Sequence, residues 1–359
     1  MGKRTIVPFG PQHPVLPEPL QLRLVLEDEK VVEAIPAIGY VHRGLEKLAE
    51  EKDINQNIYV VERVCGICSF QQALAYCQGI EELMGIEVPD RARYLRVIWA
   101  ELHRLHSHHL WLGLLADAFG FESLFMQCWR NRELVMDLME ATAGSRVIIS
   151  TNIIGGVRRD IDLDKQKFIL DNLAKLEEEL KKIEGSFLND YTVKKRLVEV
   201  GVLSKQEAYE LGCVGPMARA SGIKMDLRTL GYAAYGELDF EPVVENDGDC
   251  YARLKVRLRE CYQSIDLIRQ AISKMPEGEI STPVKGFPNG EVISRVEQPR
   301  GEDVYYIKAN GTKNLERLRI RTPTFANIPA LVKMLQGVDF ADVPMLVLTI
   351  DPCISCTER

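Results

Sequence analysis

Arg63-Val64-Cys65-Gly66-Ile67-Cys68 carries two cysteines three positions apart, and its like-spaced counterpart stands at the far end of the chain, in Asp351-Pro352-Cys353-Ile354-Ser355-Cys356. A Cys-x-x-Cys spacing lets two thiolates converge on one metal ion, and two such pairs supply four sulfur ligands, a set suited to soft or borderline ions. Three simpler readings compete. A zinc ribbon places its two pairs roughly 15 to 20 residues apart, whereas nearly the whole chain separates these. A thioredoxin-like redox motif needs one pair beside a βαβ pattern and leaves the second unexplained. Structural disulfides require an oxidising compartment, and the opening residues do not read as a signal peptide. What remains is a buried metal site assembled by the tertiary fold, so the two cysteine pairs are expected to meet in space.

The composition is that of an ordinary globular protein able to bury a large core: 359 residues, 46% apolar and 27% charged. The net charge of −7 comes from 45 basic and 52 acidic residues, with the basic ones dispersed, which argues against a nucleic-acid partner. No apolar run approaches the roughly 20 residues of a membrane span; the longest is Val343 to Ile350. Nine cysteines fit a reducing compartment, and Cys77, Cys128, Cys213, Cys250 and Cys261, which lack paired spacing, read as small buried residues.

Along the chain, Pro8 to Pro14 reads as a proline-punctuated arm, neither helix nor strand. Leu20 to Leu26 alternates almost strictly and, with Val31 to Ile35, predicts a hairpin around an acidic turn. A helix is expected from Leu45, with Glu46 in its first turn, and another over 69–84, opening immediately after Cys68 where the helix dipole favours thiolate. Further helices are expected over 90–118, 124–143, 164–189 and 249–273, the third paired with 193–200 as a half-exposed antiparallel couple. His103, His106, His108 and His109 fall in one of them, and packing with hydrogen bonding is the reading, since no cysteine or carboxylate completes a ligand set at metal spacing. Gly212 to Gly222 reads as a packed, glycine-rich loop. Short strands at 292–296, 304–307 and 315–320 predict a small antiparallel sheet covering one end of a helical bundle. The fold class is thus mostly α with small antiparallel β elements (α+β). It forms one domain over 1–359: an arm and hairpin (1–40), a helical core (41–280), and a β region with the C-terminal metal-binding segment (281–359).

Arg43-Gly44-Leu45-Glu46, the two cysteine stretches and Gln298-Pro299-Arg300-Gly301 together resemble the large, catalytic subunit of nickel-iron hydrogenases. Gly10-Pro11-Gln12-His13-Pro14, His42-Arg43-Gly44, Gly155-Gly156-Val157 and Arg219-Ala220-Ser221-Gly222 narrow the resemblance to membrane-bound, energy-converting hydrogenases, the CO-induced type among them, and to the related quinone-module subunit of complex I. Complex I lacks the four cysteines. The resemblance implies a nickel-iron hydrogenase large-subunit-like helical bundle. Cys65 and Cys353 would be terminal nickel ligands, and Cys68 and Cys356 would bridge nickel to an iron carrying CO and cyanide. It places Glu46 beside a terminal cysteine as proton relay, sets Arg300 over the metal site, and has Pro323 and Thr324 wrap the iron's diatomic ligands. Cys353 would also act as base for the proton. An additional magnesium or iron ion near the C-terminus is implied without an assigned ligand, and His13 has a structural or proton-path role.

The same resemblance implies partners: a small subunit with an iron-sulfur cluster, ferredoxin-like iron-sulfur subunits and antiporter-like membrane subunits. Ferredoxin or CO dehydrogenase would be the electron source, and the protein would lie peripherally at the cytoplasmic face of the cell membrane. The reaction would be reversible reduction of protons to dihydrogen, coupled to ion translocation. One departure stands out. The family usually has a histidine four residues after the second cysteine of the first pair, and this chain has Gln72, which can donate through its amide but cannot be protonated. Two readings without hydrogen chemistry stay open beside this one, a complex I-like subunit and a zinc-stabilised scaffold.

Overall fold

The computed structural model describes residues 4–359. The alternation at the N-terminus becomes a three-stranded antiparallel sheet of β1 (Arg4–Phe9), β2 (Gln21–Glu27) and β3 (Lys30–Ala37), in that order. Leu22 and Leu24 are buried while Arg23 between them is exposed, as a period of two requires. Asp28 and Glu29 close the hairpin with φ of 51° and 65°, the left-handed conformation that two-residue hairpin loops need. The arm expected before it is a strand as far as Phe9. Pro8 is tolerated because β1 is an edge strand, where a missing N–H breaks no essential ladder.

Three helices follow, α1 (Leu45–Glu51), α2 (Gln56–Glu62) and α3 (Ser69–Met84), and then α4 (Asp90–Ala118), around which the bundle is arranged. Every residue from Tyr94 to His109 is buried, so α4 has no solvent face over four turns and behaves as a core helix. It packs against α5 (Glu122–Ala143) and, beyond the two-residue strands β4 (Asn152–Ile153) and β5 (Gly156–Val157), against α10 (Cys250–Lys274). Between these lie α6 (Leu163–Asn189), α7 (Tyr191–Leu197), α8 (Lys205–Glu210) and α9 (Pro216–Ala220). A meander of β6 (Asn289–Gln298), β7 (Gly301–Asn310) and β8 (Leu315–Arg321) packs on α3, and α11 (Pro323–Met334), α12 (Val343–Thr349) and α13 (Ile354–Thr357) complete the chain. The Val343–Ile350 run is the short buried helix α12, and no helix among the described residues is long and apolar enough to cross a membrane.

So many polar groups on a core helix must find partners inside. Glu101 accepts hydrogen bonds from Arg104, Tyr235 and Ser264, and His108 Nε2 pairs with Glu260 Oε2 at 2.8 Å. His106 meets Arg132 at 2.5 Å, His109 Nδ1 the carbonyl of Leu105 at 2.8 Å, and His103 Nδ1 that of Ile67 at 3.4 Å. Burial pulls His103 and His109 down to about 4, so both are neutral packing residues at neutral pH. The histidine cluster is therefore structural, as its spacing suggested.

Gly212 to Gly222 departs from the loop expectation, because residues 216–220 form the short helix α9. Pro216, with its fixed φ, starts that helix after Gly215. Arg219 is then drawn into the core, where it donates to Glu260 at 2.8 Å, to Glu297 at 2.7 Å and to the carbonyl of Met225, and it lies 3.2 Å from Asp226. Arg219→Met removes the positive charge that three buried carboxylates share, and is expected to cost about 3 to 5 kcal/mol of unfolding free energy. Chemical denaturation checks this, and an unaltered midpoint would show the network to be dispensable.

The inner face of β7 alternates Gly301, Asp303, Tyr305, Ile307 and Ala309, all buried. Asp303 is the anomaly. Its Oδ2 accepts one bond from Gln298 Nε2 at 2.5 Å, and its Oδ1 has no partner. Burial pushes this carboxyl up to about 8 against the opposing pull of Gln298, Arg321 and Arg359. An unfolded chain releases that proton near pH 4, so the folded state binds more protons between about pH 4 and 8 and loses stability as pH rises across that window. Asp303→Asn removes the penalty. Its melting temperature relative to the parent is expected to climb between about pH 4 and 8, and parallel pH profiles in differential scanning fluorimetry would refute the assignment.

Candidate metal centre

Each cysteine pair is presented by a helix start. Cys65 to Cys68 fills the connection between α2 and α3, and Cys68 directly precedes the first residue of α3, where unpaired N–H groups favour thiolate. Cys353 directly precedes α13 and Cys356 lies within it. The chain turns into this second pair at Asp351, whose φ of 56° is one a non-glycine residue keeps only when its surroundings hold it there. Arg300 does the holding. Its Nε donates to the Asp351 carbonyl at 2.9 Å, its Nη2 pairs with Asp351 Oδ1 at 2.7 Å, and its Nη1 donates to Ser107 Oγ on α4 at 3.1 Å. Gly215 lets the Arg300-Gly301 turn come this close, since a Cβ there would lie 2.3 Å from the Arg300 carbonyl oxygen.

The two pairs do meet. Cys65 Sγ lies 3.2 Å from Cys353 Sγ and Cys68 Sγ 3.4 Å from Cys356 Sγ, all buried and none in a disulfide. The sulfurs of Cys65, Cys68 and Cys356 fall within 4.8 Å of one another. A disulfide needs about 2.0 Å, so these are four separate donors. Metal–sulfur bonds of about 2.3 Å put two sulfurs about 3.8 Å apart at a tetrahedral angle and about 3.3 Å apart at a right angle. The observed separations of 3.2 and 3.4 Å are short enough for one small metal site to draw sulfurs from both pairs.

Charge at the site is uneven. Hydrogen bonds from the Cys353, Cys356 and Cys68 thiols hold Cys65 well below the usual thiol range, and burial pushes Cys68 and Cys356 well above it. A bound metal ion would favour the thiolate form of all four. Arg300 stays charged despite burial, because Asp351 and the sulfurs outweigh the desolvation.

The supporting contacts tie remote segments to the cysteines. The exposed Arg43 donates to the carbonyls of Arg63 at 2.7 Å, Val64 at 2.8 Å and Ser355 at 3.2 Å, clasping both pairs with one guanidinium. The Thr322 hydroxyl donates to the Cys356 carbonyl at 2.9 Å, and the Thr324 hydroxyl accepts from the Cys353 N–H at 3.2 Å. Gln72 Nε2 points at Cys68 Sγ and Cys356 Sγ, at 3.6 and 3.8 Å. A cavity of about 260 Å³ opens beside Cys65 and Cys353, walled by Leu110, Trp111, Leu114 and Leu348, with Arg300, Asp351 and Glu18 as its charged members.

The structure brings Cys65, Cys68, Cys353, Cys356, Arg300 and Thr324 together. Pro323 is the first residue of α11, so its proline starts a helix and is no part of a β edge. Glu46 ties α1 to β8 and to the C-terminal residues: its carboxylate accepts from the Ile320 N–H at 2.9 Å, Arg319 at 3.0 Å and Arg359 at 3.1 Å. The position beside the second pair is taken by Glu18. Its Oε2 accepts from the N–H groups of Ile354 at 2.5 Å and Ser355 at 2.9 Å, and its Oε1 from the Ser355 hydroxyl. Burial raises the Glu18 pKa, helped by the Cys65 charge and opposed by those backbone donors. The one sequence hint was an acidic residue between two prolines, Pro17-Glu18-Pro19, just before an apolar strand. His13 stacks on Phe9 at 4.1 Å and accepts from the Val15 N–H, a structural role.

Comparison with known proteins agrees with this geometry. The family described as nickel-dependent hydrogenase matches residues 43–117, and the family described as respiratory-chain NADH dehydrogenase, 49 Kd subunit, matches 118–287 and 282–359. The carbon monoxide-induced hydrogenase of Rhodospirillum rubrum is 43% identical over 356 residues, covering 98% of this chain and 99% of its own. The membrane-bound hydrogenase subunit alpha of Pyrococcus furiosus is 42% identical over 371 residues, covering 98% of this chain and 87% of its own. Among solved structures, a chain of the membrane-bound sulfane sulfur reductase, an archaeal respiratory membrane complex, superposes with a TM-score of 0.95 at 32% identity, covering 99% of this chain and 98% of that one. With its four sulfurs gathered at one buried point, the chain belongs to the family of large subunits of membrane-bound, energy-converting nickel-iron hydrogenases, which is related to the 49 kDa subunit of the respiratory-chain NADH dehydrogenase.

Proposed function

We propose that this chain is a catalytic subunit that reversibly reduces protons to dihydrogen at a nickel-iron centre, which Cys65, Cys68, Cys353 and Cys356 would hold. The observation that carries the reading is the meeting of the two cysteine pairs, with sulfurs 3.2 Å apart for Cys65 and Cys353 and 3.4 Å apart for Cys68 and Cys356. When bound, the metals, with CO and cyanide on the iron, would supply the electron chemistry that makes or cleaves dihydrogen. The chain supplies everything around it. The largely apolar cavity beside Cys65 and Cys353 limits water, and Arg300 presents a fixed, charged guanidinium to that space. The Thr324 hydroxyl accepts from the Cys353 N–H, which leaves its own proton free to donate toward a polar group in the site.

Protons need a carrier between this cavity and the surface. Glu18 lines the cavity, touches Ser355 and has a pKa raised by burial, so its carboxyl takes up a proton more readily than a free carboxylate and can hand it on. Glu46 is engaged by two arginines and a backbone N–H, which suits it to anchoring β8 and the C-terminal residues. Electrons would come from an iron-sulfur small subunit and ferredoxin-like subunits fed by ferredoxin or CO dehydrogenase. Antiporter-like membrane subunits would couple the flow to ion translocation, with this chain peripheral at the cytoplasmic face. The names of the hydrogenase relatives support this setting. A second reading, a respiratory subunit without hydrogen chemistry, draws support from the likeness to the sulfane sulfur reductase complex.

Elemental analysis of the purified complex is expected to find nickel and iron, with infrared bands from iron-bound CO and cyanide; a complex without nickel would favour the second reading, and zinc in its place a zinc-stabilised scaffold. Glu18→Gln should keep the nickel and lower hydrogen turnover by about 100-fold or more. If Glu46→Gln abolishes turnover with nickel retained and Glu18→Gln does not, the relay runs through Glu46.

A further inference from the structure

We infer that Tyr305 is a positioning residue for the metal centre, acting only through Gln72: its hydroxyl donates to Gln72 Oε1 and thereby aims the amide N–H of Gln72 at the sulfurs of Cys68 and Cys356. The inference rests on the proposed metal-binding role of those sulfurs and deepens it.

Gln72 sits one helical turn after Cys68 on α3, its backbone N–H donating to the Cys68 carbonyl at 3.1 Å, and helical side chains lean back toward the preceding turn. Its amide thus lies over the sulfurs with two opposite ways to face them. With Nε2 toward them it donates to Cys68 Sγ at 3.6 Å and Cys356 Sγ at 3.8 Å. Turned over, it would set a carbonyl lone pair against sulfur lone pairs. Tyr305 decides between the two. Its hydroxyl donates to Oε1, which leaves only Nε2 for the sulfurs.

The tyrosine is itself immobile. Its residue on β7 is paired with Ser294 of β6 on one side and Ile320 of β8 on the other, and its ring is fully buried against α3. Burial also pushes its phenol well above the usual range, with the charges of Asp303 and the cysteines adding to the effect, so it stays a neutral donor. The sheet expected merely to cap the bundle therefore reaches the sulfurs through two side chains. The consequence is a neutral, non-titrating donor at the Cys68–Cys356 pair. A fixed N–H there stabilises sulfur-borne charge without adding a proton that could be lost.

The test compares nickel retention by the purified complex under a chelator, together with the nickel electron paramagnetic resonance spectrum, in the parent, Tyr305→Phe, Gln72→Leu and the double variant. Each single variant is expected to lose nickel about tenfold more readily and to shift the spectrum, and the double variant should behave as Gln72→Leu alone. Parent-like retention in Tyr305→Phe, or additive losses in the double variant, overturns the inference. Should Tyr305→Phe fail to fold, Gln72→Glu keeps an acceptor for Tyr305 while turning an oxygen toward the sulfurs; it is expected to lose nickel, and parent-like retention overturns the inference. A parent protein without nickel overturns the proposed function, and this inference with it.

Discussion

Four sulfur atoms and one guanidinium in a common buried space are the constraint on which this structure depends. Bringing Cys65 and Cys68 against Cys353 and Cys356 closes a loop of almost the whole chain, which costs conformational entropy, and it concentrates groups that carry negative charge where water cannot reach. Arg300 answers the charge, with Asp351 fixing its position. A bound cation would answer the rest, so the centre and the closure of the fold stabilise each other.

The bundle makes such a site affordable by being rigid around it. Helix α4 is buried along its middle and carries charged residues that are each met by a partner on another element: Glu101 by Tyr235 and Ser264, Arg104 by the carbonyls of Glu297 and Gln298, His108 by Glu260. A core of this kind is less tolerant of slippage than an apolar one, because each displaced helix would strand a charge. Arg104 gripping the carbonyl of Gln298 and Ser107 receiving Arg300 carry that rigidity directly to the residues facing the sulfurs.

Around the centre the surroundings differ by side. Toward Cys65 and Cys353 lie the cavity, Arg300 and the carboxyl of Glu18, a face equipped for small molecules and protons. Toward Cys68 and Cys356 lie Gln72 and Tyr305, neutral and packed, a face that holds charge without exchanging it. Outside both, Arg43 binds the two cysteine segments to each other from the surface.

Much of this was legible along the chain. The helices 69–84 and 90–118 follow from periodicity over many turns, the hairpin after Leu20 from alternation, and the four cysteines from a spacing that chemistry restricts. Short elements such as α9, α11 and α12 were missed, because the prolines in them mimic loops and only packing makes them helical. The site divides in the same way. Which residues could bind metal was written in the sequence, since sulfur at that spacing has few other uses in a reducing compartment. That Glu18 attends them was not, because only the course of the chain before β2 sets its side chain against Ser355. The sequence alone determined the candidate ligands and the long helices, both properties of local order. Only the tertiary structure decided which acid, which arginine and which tyrosine reach the sulfurs, because such contacts depend on where distant segments come to rest.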